Sequence, residues 1–354
     1  MTGKAHPVSI GAVSQQLGVS PTRIRELTEA GVFTAERTAG GHRRYDLDAT
    51  RAAWHRHKLA AADLARSSVA LPGTPDDLPP LTVQWSGNLV GLQEDLVWRE
   101  LEPQLGLKSS TLRSIGYYVF TEMLNNAIDH SGGKLARVRI WRSERRLVLE
   151  ISDDGVGALR RLADGKDLPD LFSAVQDLTK GKQTTDPARH TGEGIFFSSK
   201  AVDLFSLASN GLVWTVDNLR ADQAVGTSAT TTGTTVILEI DPNTNTELTE
   251  VFARYTDNRQ FTRSSTVVKL FAIGVDFVSR SEAKRLLAGL DQFSHVELDF
   301  KDVQAVGQGF VDELFRVWPQ AHPGTSLTPT HMGPAVRFMV ERGLPPPLPG
   351  RGTS

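Results

Sequence analysis

The sequence has no cysteine in 354 residues. That excludes disulfides, thiol nucleophiles and cysteine-ligated zinc. It has no apolar run near the roughly 18 residues that a membrane span needs. Its opening stretch, MTGKAHPVSI, lacks the apolar core of a secretory signal. A cytoplasmic protein with no membrane contact is therefore expected. Neither charge sign is in excess overall, with 39 Lys+Arg against 41 Asp+Glu and a net charge of −2. The balance hides an asymmetry, because residues 1–60 hold nine basic side chains against five acidic ones. A basic end joined to an acidic body points to an anionic partner for that end. The hydrophobic fraction of 39% and charged fraction of 23% lie near the globular average, so a packed core is feasible. At about 150 residues per domain the length suggests two or three domains.

Two breaks divide the chain. SSVALPGTPDDLPP (Ser67–Pro80) is too rich in Pro, Ser and Asp to hold a helix, and DPNTNTE (Asp241–Glu247) follows a strand-like run. The expected plan is a domain over 1–65, a linker over 66–80, a domain over 81–242, a linker over 243–257, a domain over 258–345 and a frayed tail over 346–354. No internal repeat is present.

In the first segment, Ile10, Val13 and Leu17 form a helical stripe stopped by Gly18. Ser20-Pro21 reads as an N-cap and first-turn proline, and Gly31 as the stop of a second helix with Ile24 and Leu27 inward. Two short helices joined by a tight turn are the helix-turn-helix plan. Phe33–Arg37 and Arg43–Tyr45 flank a Gly-Gly turn and predict a two-stranded wing. Asp48 is placed to cap a third helix running to about Ala65. The runs GVSPTRIRELTEAG and RTAGGHRRY resemble the winged helix-turn-helix of the MerR and excisionase type. The resemblance implies double-stranded DNA as partner, with Thr22, Arg23 and Arg25 at the major groove and His42, Arg43 and Arg44 on the wing. Guanidinium groups suit both positions, pairing with guanine or phosphate. Tyr45 is expected to close the wing on the helices. The long dimerisation helix and sensing cysteines of metal-responsive MerR proteins are missing, so an effector must be read elsewhere.

In the second segment three patches follow one another. A helical stretch from about Ser110 carries Leu112, Ile115, Val119, Met123 and Ala127 as its apolar stripe and ends in TEMLNNAIDH. Its Glu122 and Asn126 share one face, a spacing that lets a carboxylate and an amide position a water and a hard cation. Two alternating runs, Ala136–Trp141 and Leu147–Ile151, lead into Asp153-Asp154-Gly155-Val156-Gly157. Last comes His190-Thr191-Gly192-Glu193-Gly194 opening a helix, where free N–H groups form an anion nest. In this order, with Gly233-Thr234-Thr235 before a final strand, the patches resemble the Bergerat-type ATP-binding fold of the GHKL superfamily across about Leu81–Ile240. The resemblance implies ATP and Mg²⁺ as cofactors. Asn126 would ligate Mg²⁺, and Glu122 would be the general base. Asp153 would receive the adenine amino group beside Gly155 and Gly157, with Thr234 supporting it. Gly192 and Gly194 would cradle phosphates, and Asp129 belongs to the same helical motif. Leu159–Arg189 would be a mobile lid, with Lys180 and Lys182 solvated on it. None of the nine histidines is followed by an acid, which argues against a sensor histidine kinase.

In the third segment, strands over Thr266–Val275 and His295–Phe300 alternate with helices over Ser281–Leu290, Val311–Val317 and Pro334–Arg342, a small α/β layer. LDFKDVQAVGQGFVDELF resembles the STAS-like domains found beside ATP-binding domains. Where an antagonist of that kind carries a phosphorylated serine, this chain has Gly307-Gln308, which argues against phosphorylation there, so a packing or partner-docking role is expected. The whole is expected to be multidomain: a small α winged helix-turn-helix, an α/β-sandwich Bergerat fold and a small α/β STAS-like domain. The implied function is an ATP-responsive DNA-binding transcriptional regulator acting as a homodimer or cooperative oligomer. A serine/threonine kinase or switch ATPase acting on a protein partner is the alternative.

Overall fold

A computed structural model describes residues 7–17, 19–38, 40–66, 78–180, 194–255, 263–270 and 277–343. Gly18, Gly192, Lys182, the 67–77 part of the first linker and the 346–354 tail lie outside the described residues. The chain divides into two units. One is Ala62–Phe261, and the other combines Met1–Ala61 with Thr262–Ser354 and holds two separate hydrophobic cores.

The N-terminal core is built on β1 (Val8–Ser9), α1 (Ile10–Leu17), α2 (Pro21–Glu29), β2 (Glu36–Arg37), β3 (Arg43–Tyr45) and α3 (Leu47–Arg66). The Ser20 side chain accepts from Arg23 N at 3.1 Å with Pro21 following, so α2 starts where its cap dictates. Val13, Ile24, Leu27 and Tyr45 meet in the core, and the Tyr45 hydroxyl lies 3.2 Å from that of Thr28. The strands run antiparallel in the order β1-β3-β2. Two local expectations change. Phe33 leaves the wing for the core, shortening that strand to Glu36–Arg37. Asp46, not Asp48, caps α3, because its Oδ1 accepts from Ala49 N at 2.9 Å.

The central unit is a seven-stranded antiparallel sheet in the order β4-β5-β6-β10-β7-β8-β9. Its strands are β4 (Leu81–Asn88), β5 (Leu135–Arg142), β6 (Leu147–Asp153), β7 (Leu204–Ser209), β8 (Leu212–Asp217), β9 (Asp222–Thr227) and β10 (Thr234–Ile240). Against it lie α4 (Glu94–Leu105), α5 (Ser110–His130) and α8 (Gly194–Ala201), with α6 (Ala158–Gly165), α7 (Leu171–Lys180) and α9 (Leu248–Tyr255) around them. The stripe read from sequence is the buried face of α5, from Leu112 to Ala127. Strand alternation does the rest: Val138, Ile140, Ile151 and Val236 are buried, while Arg137, Arg139, Glu150, Ser152 and Thr235 take the alternate positions.

Helix α9 falls in the stretch expected to be the linker 243–257. It is held there by aromatic packing, Phe252 meeting Tyr118 at 5.4 Å and Phe197 at 4.5 Å and Tyr255 meeting Phe196 at 5.2 Å. A segment that buries rings belongs to the domain it packs on.

The C-terminal core carries three parallel strands, β11 (Arg263–Lys269), β12 (Phe293–Asp299) and β13 (Ser326–Thr330), in that order. Between and after them run α10 (Arg280–Leu287), α11 (Gln308–Asp312), a π-helical turn (Glu313–Val317), α12 (Trp318–Ala321) and α13 (Pro334–Gly343). Ser279 and Glu282 close a reciprocal capping box on α10. Gly307 donates its N–H to Phe277 O at 2.7 Å, and a Cβ there would lie 2.6 Å from Val278 Cα. Main chain fills the space that a serine side chain would need.

Candidate functional site

The candidate site is assembled by three elements. The first is α5, whose face carries Glu122, Asn126 and Asp129 at one-turn and two-turn spacing. Glu122 and Asn126 are half-buried and Asp129 is exposed. Asn126 Nδ2 is buried and has no hydrogen-bond partner among the described residues. A buried amide left unsatisfied is costly, by about 1–3 kcal/mol, and marks a place where a ligand completes the set. Because the oxygen and nitrogen of an amide are assigned rather than seen, the same group can present its oxygen.

The second element is the end of β6. Asp153 Oδ1 accepts from Gly155 N at 2.9 Å, and Thr234 adds main-chain and side-chain bonds to the same carboxylate. Burial nevertheless pushes the Asp153 carboxyl above the usual range, opposed by these three donors. Its neighbour is treated in the opposite way. Asp154 Oδ1 accepts from Lys134 N and Leu135 N at 2.7 and 2.9 Å, which holds its carboxyl down and ties the start of β5 to the turn. The glycines answer to the protein's own packing. A Cβ on Gly155 would run into Ser131 O, and one on Gly157, at φ +91°, into the Asn210 and Ser209 side chains.

The third element is α8. Its first residue, Gly194, is so close to Glu122 that a Cβ would strike the carboxylate. The α5 acid and the start of α8 therefore face one another, although the segments are 72 positions apart. Gly192, expected beside it, lies outside the described residues.

Two features escaped sequence reading. The first turn of α6 is capped side chain by side chain. Thr234 Oγ1 accepts from Ala158 N, Ser209 Oγ from Leu159 N and Asn210 Oδ1 from Arg160 N, at 2.9, 3.4 and 3.1 Å. Asn210-Gly211 is a hairpin dipeptide in the sequence, and that signal locates the turn but not its caps. The second feature concerns the expected lid Leu159–Arg189, of which 181–189 lie outside the described residues. Residues 158–180 form two helices with Leu159, Leu162, Phe172, Val175 and Leu178 buried, because their apolar faces find partners. Lys180, expected to be solvated, is 3% exposed. It pairs with Asp177 at 3.3 Å, which also holds Lys166 at 2.8 Å. Burial lowers the Lys180 pKa and Asp177 opposes that shift.

On the N-terminal body the arginines split into two pairs. Arg23 bonds Glu26 at 3.0 Å, and Arg43 reaches from the wing to Glu29 at the end of α2, also at 3.0 Å. Arg25 and Arg44 are exposed, as are Thr22 and His42.

An antiparallel sheet carrying an acid–amide helix, an Asp-x-Gly-x-Gly strand end and a glycine-opened helix is the arrangement expected of a GHKL-type module. It is preceded by a winged helix-turn-helix and followed by a small parallel α/β layer. Residues 114–244 match the family described as histidine kinase-, DNA gyrase B-, and HSP90-like ATPase. Residues 9–45 match the MerR family regulatory protein, and residues 282–337 match a STAS-like domain of unknown function. No curated protein matches the chain. In chain order, then, one segment is similar to MerR regulatory proteins, one to GHKL-type ATPases and one to STAS-like domains. Among the described residues no helix is long and apolar enough to cross a membrane.

Proposed function

We propose that the protein is a cytoplasmic transcriptional regulator whose DNA or partner binding responds to ATP·Mg²⁺. The observation that carries this reading is the buried Asn126 amide, unsatisfied among the described residues and one helical turn from Glu122, in a chain that also bears a basic winged helix. Asn126 would ligate Mg²⁺, Asp153 would accept the adenine amino group with Thr234 behind it, and Gly192 and Gly194 would hold phosphates beside Asp129. Mg²⁺ supplies charge neutralisation for the phosphates. ATP regulates only if it binds two arrangements of the chain unequally. Thr22, Arg25, Arg44 and His42 would meet DNA, with Arg23 and Arg43 shaping that surface. A single winged module buries roughly 600–1,000 Å², so useful affinity implies a homodimer or cooperative oligomer. The STAS-like domain would dock a protein partner. Footprinting on the native upstream region with and without ATP·Mg²⁺ is the test. A nucleotide-dependent footprint is expected, and identical footprints count against the regulator.

The close approach of Gly194 to Glu122 supports a second reading, an ATPase or a serine/threonine kinase acting on another protein. Glu122 would take the proton from a water or a hydroxyl. Glu122→Ala should then keep ATP binding and lose turnover by about 10²–10⁴-fold. Phosphate release without a partner indicates a switch ATPase, and label transfer from γ-labelled ATP to a partner indicates a kinase. If wild type shows neither, the base assignment fails.

A further inference from the structure

The face of the central sheet turned away from α5 carries a cavity of about 520 Å³. Small-molecule sites typically run from about 300 to 1,000 Å³. Two rungs of the sheet line it. One is Gln84–Arg139–Glu150 across β4, β5 and β6, and the other is Arg137–Ser152–Thr235 across β5, β6 and β10. Thr230, just before β10, closes one side. The residues between these positions, Val138, Leu149, Ile151 and Val236, are buried on the opposite face. Alternation therefore separates this groove from the nucleotide pocket.

The lining is unusual in what it leaves unused. Glu150 receives Arg139 through Nε and Nη2 at 2.6–2.9 Å, which fixes that guanidinium and leaves its Nη1 without a bond. Arg137, two residues along the same strand, makes no hydrogen bond or ion pair with another described residue. The side chains of Gln84, Ser152 and Thr235 make none either. Among the lining side chains two guanidinium groups stand against one carboxylate, with the Asp154 carboxylate within electrostatic range of Arg137; a fixed fork beside one that makes no hydrogen bond suits the oxygens of a phosphate. The remaining amide and hydroxyls suit the hydroxyls of a polyol.

We propose that this groove is an effector site for a small phosphorylated polyol, with Arg137 and the Nη1 of Arg139 on the phosphate and Gln84, Ser152, Thr230 and Thr235 on the hydroxyls. Its position also gives it a route to the nucleotide pocket. Ser152 immediately precedes Asp153, and Thr235 immediately follows Thr234, so the same two strand ends form the floor of one site and the wall of the other. Ligand in the groove then changes ATP affinity, and ATP changes the affinity of the groove by the same factor. This coupling rests on the ATP reading; binding in the groove does not.

Isothermal titration of the full chain with ribose 5-phosphate, glucose 6-phosphate, ribose and inorganic phosphate tests it. At least one sugar phosphate should bind saturably, tenfold or more tighter than ribose or phosphate alone. Arg137→Ala should lose tenfold or more of that affinity. Arg137 is exposed and unbonded, so the variant should fold, as a matching melting curve will verify. Arg99→Ala, which removes an exposed arginine of α4, should bind as wild type does. No binding of either sugar phosphate, equal affinity in Arg137→Ala, or inorganic phosphate binding as tightly as the sugar phosphates overturns the proposal. In a second titration, saturating sugar phosphate should change the affinity for adenylyl imidodiphosphate about fivefold in wild type and not in Arg137→Ala. Unchanged nucleotide affinity in wild type overturns the coupling. A chain that binds the sugar phosphate but no nucleotide overturns the ATP reading instead and leaves the groove standing.

Discussion

Asp153 and Asp154 are adjacent in sequence and opposite in environment. One carboxyl is pushed up by burial at the strand end and the other is held down by the main-chain N–H groups of Leu135 and Lys134. The consequence can be read in pH. The carboxylate is the form of Asp153 that would accept from adenine, so ATP affinity should fall as pH drops, beginning above the range of an ordinary aspartate. For stability the sign reverses. A folded-state pKa above the unfolded value means the folded chain holds that proton more tightly, so the Asp153 contribution to stability rises as pH falls through it. Asp153→Asn should therefore melt no lower than wild type without nucleotide, while losing the ATP-induced rise in melting temperature. Melting curves across pH 4–8 with and without ATP·Mg²⁺ would decide, and a retained ATP shift in the variant would remove Asp153 from the site.

Helix α6 shows how an element depends on residues far from it in sequence. Its first three amides go to Thr234, Ser209 and Asn210, so the turn after Asp153 is fixed by strands that form 50 to 76 positions later. Asn210 itself sits at φ +52°, a left-handed conformation that asparagine tolerates better than most residues. Asn210→Gly keeps that conformation and removes the cap, and should cost about 1 kcal/mol in urea unfolding. Asn210→Ala adds the backbone penalty of roughly 1–2 kcal/mol and should cost more. Equal stability of Asn210→Gly and wild type would mean the α6 cap contributes nothing. Helix α9 is the other element whose place is tertiary. Phe252→Ala removes the ring that packs on both Tyr118 and Phe197, and each such pairing is worth about 0.5–1.5 kcal/mol beyond area. The substitution should destabilise the ATP-binding domain measurably in the same urea titration.

For the molecule as a whole, charge is divided between a basic end and an acidic body. The four arginines read as equals in the sequence are not equal in the fold, because Glu26 and Glu29 engage Arg23 and Arg43. Exposed ion pairs of this kind are worth little in stability, so their role is to set geometry. Arg25→Ala and Arg44→Ala should weaken DNA binding most, and each phosphate left without its arginine should reduce the salt slope by about one unit. Arg43→Ala should weaken binding with a smaller change in slope, since Glu29 already offsets its charge. Binding isotherms at several salt concentrations separate these outcomes, and an unchanged slope in both Arg25→Ala and Arg44→Ala would move the DNA surface elsewhere.

The motifs of this protein are legible in its sequence because they are local. Ser20-Pro21 starts a helix by its own cap, Glu122 and Asn126 share a face by helix geometry alone, and Asp153 ends a strand because glycines follow it. The MerR-like, GHKL and STAS-like segments are recognisable for the same reason. What the sequence could not give is every relation that needs the chain to return on itself. The edge strand Ser326–Thr330, with proline inside it, forms only because Phe293–Asp299 offers a partner. Lys180 is buried because Asp177 and an apolar helix face surround it, where its place in the expected lid suggested solvent. The approach of Gly194 to Glu122, the caps on α6 and the two polar rungs holding Arg137 and Arg139 depend on strand register. Pairing between distant segments is fixed by packing across the whole sheet, and no window of the sequence contains it.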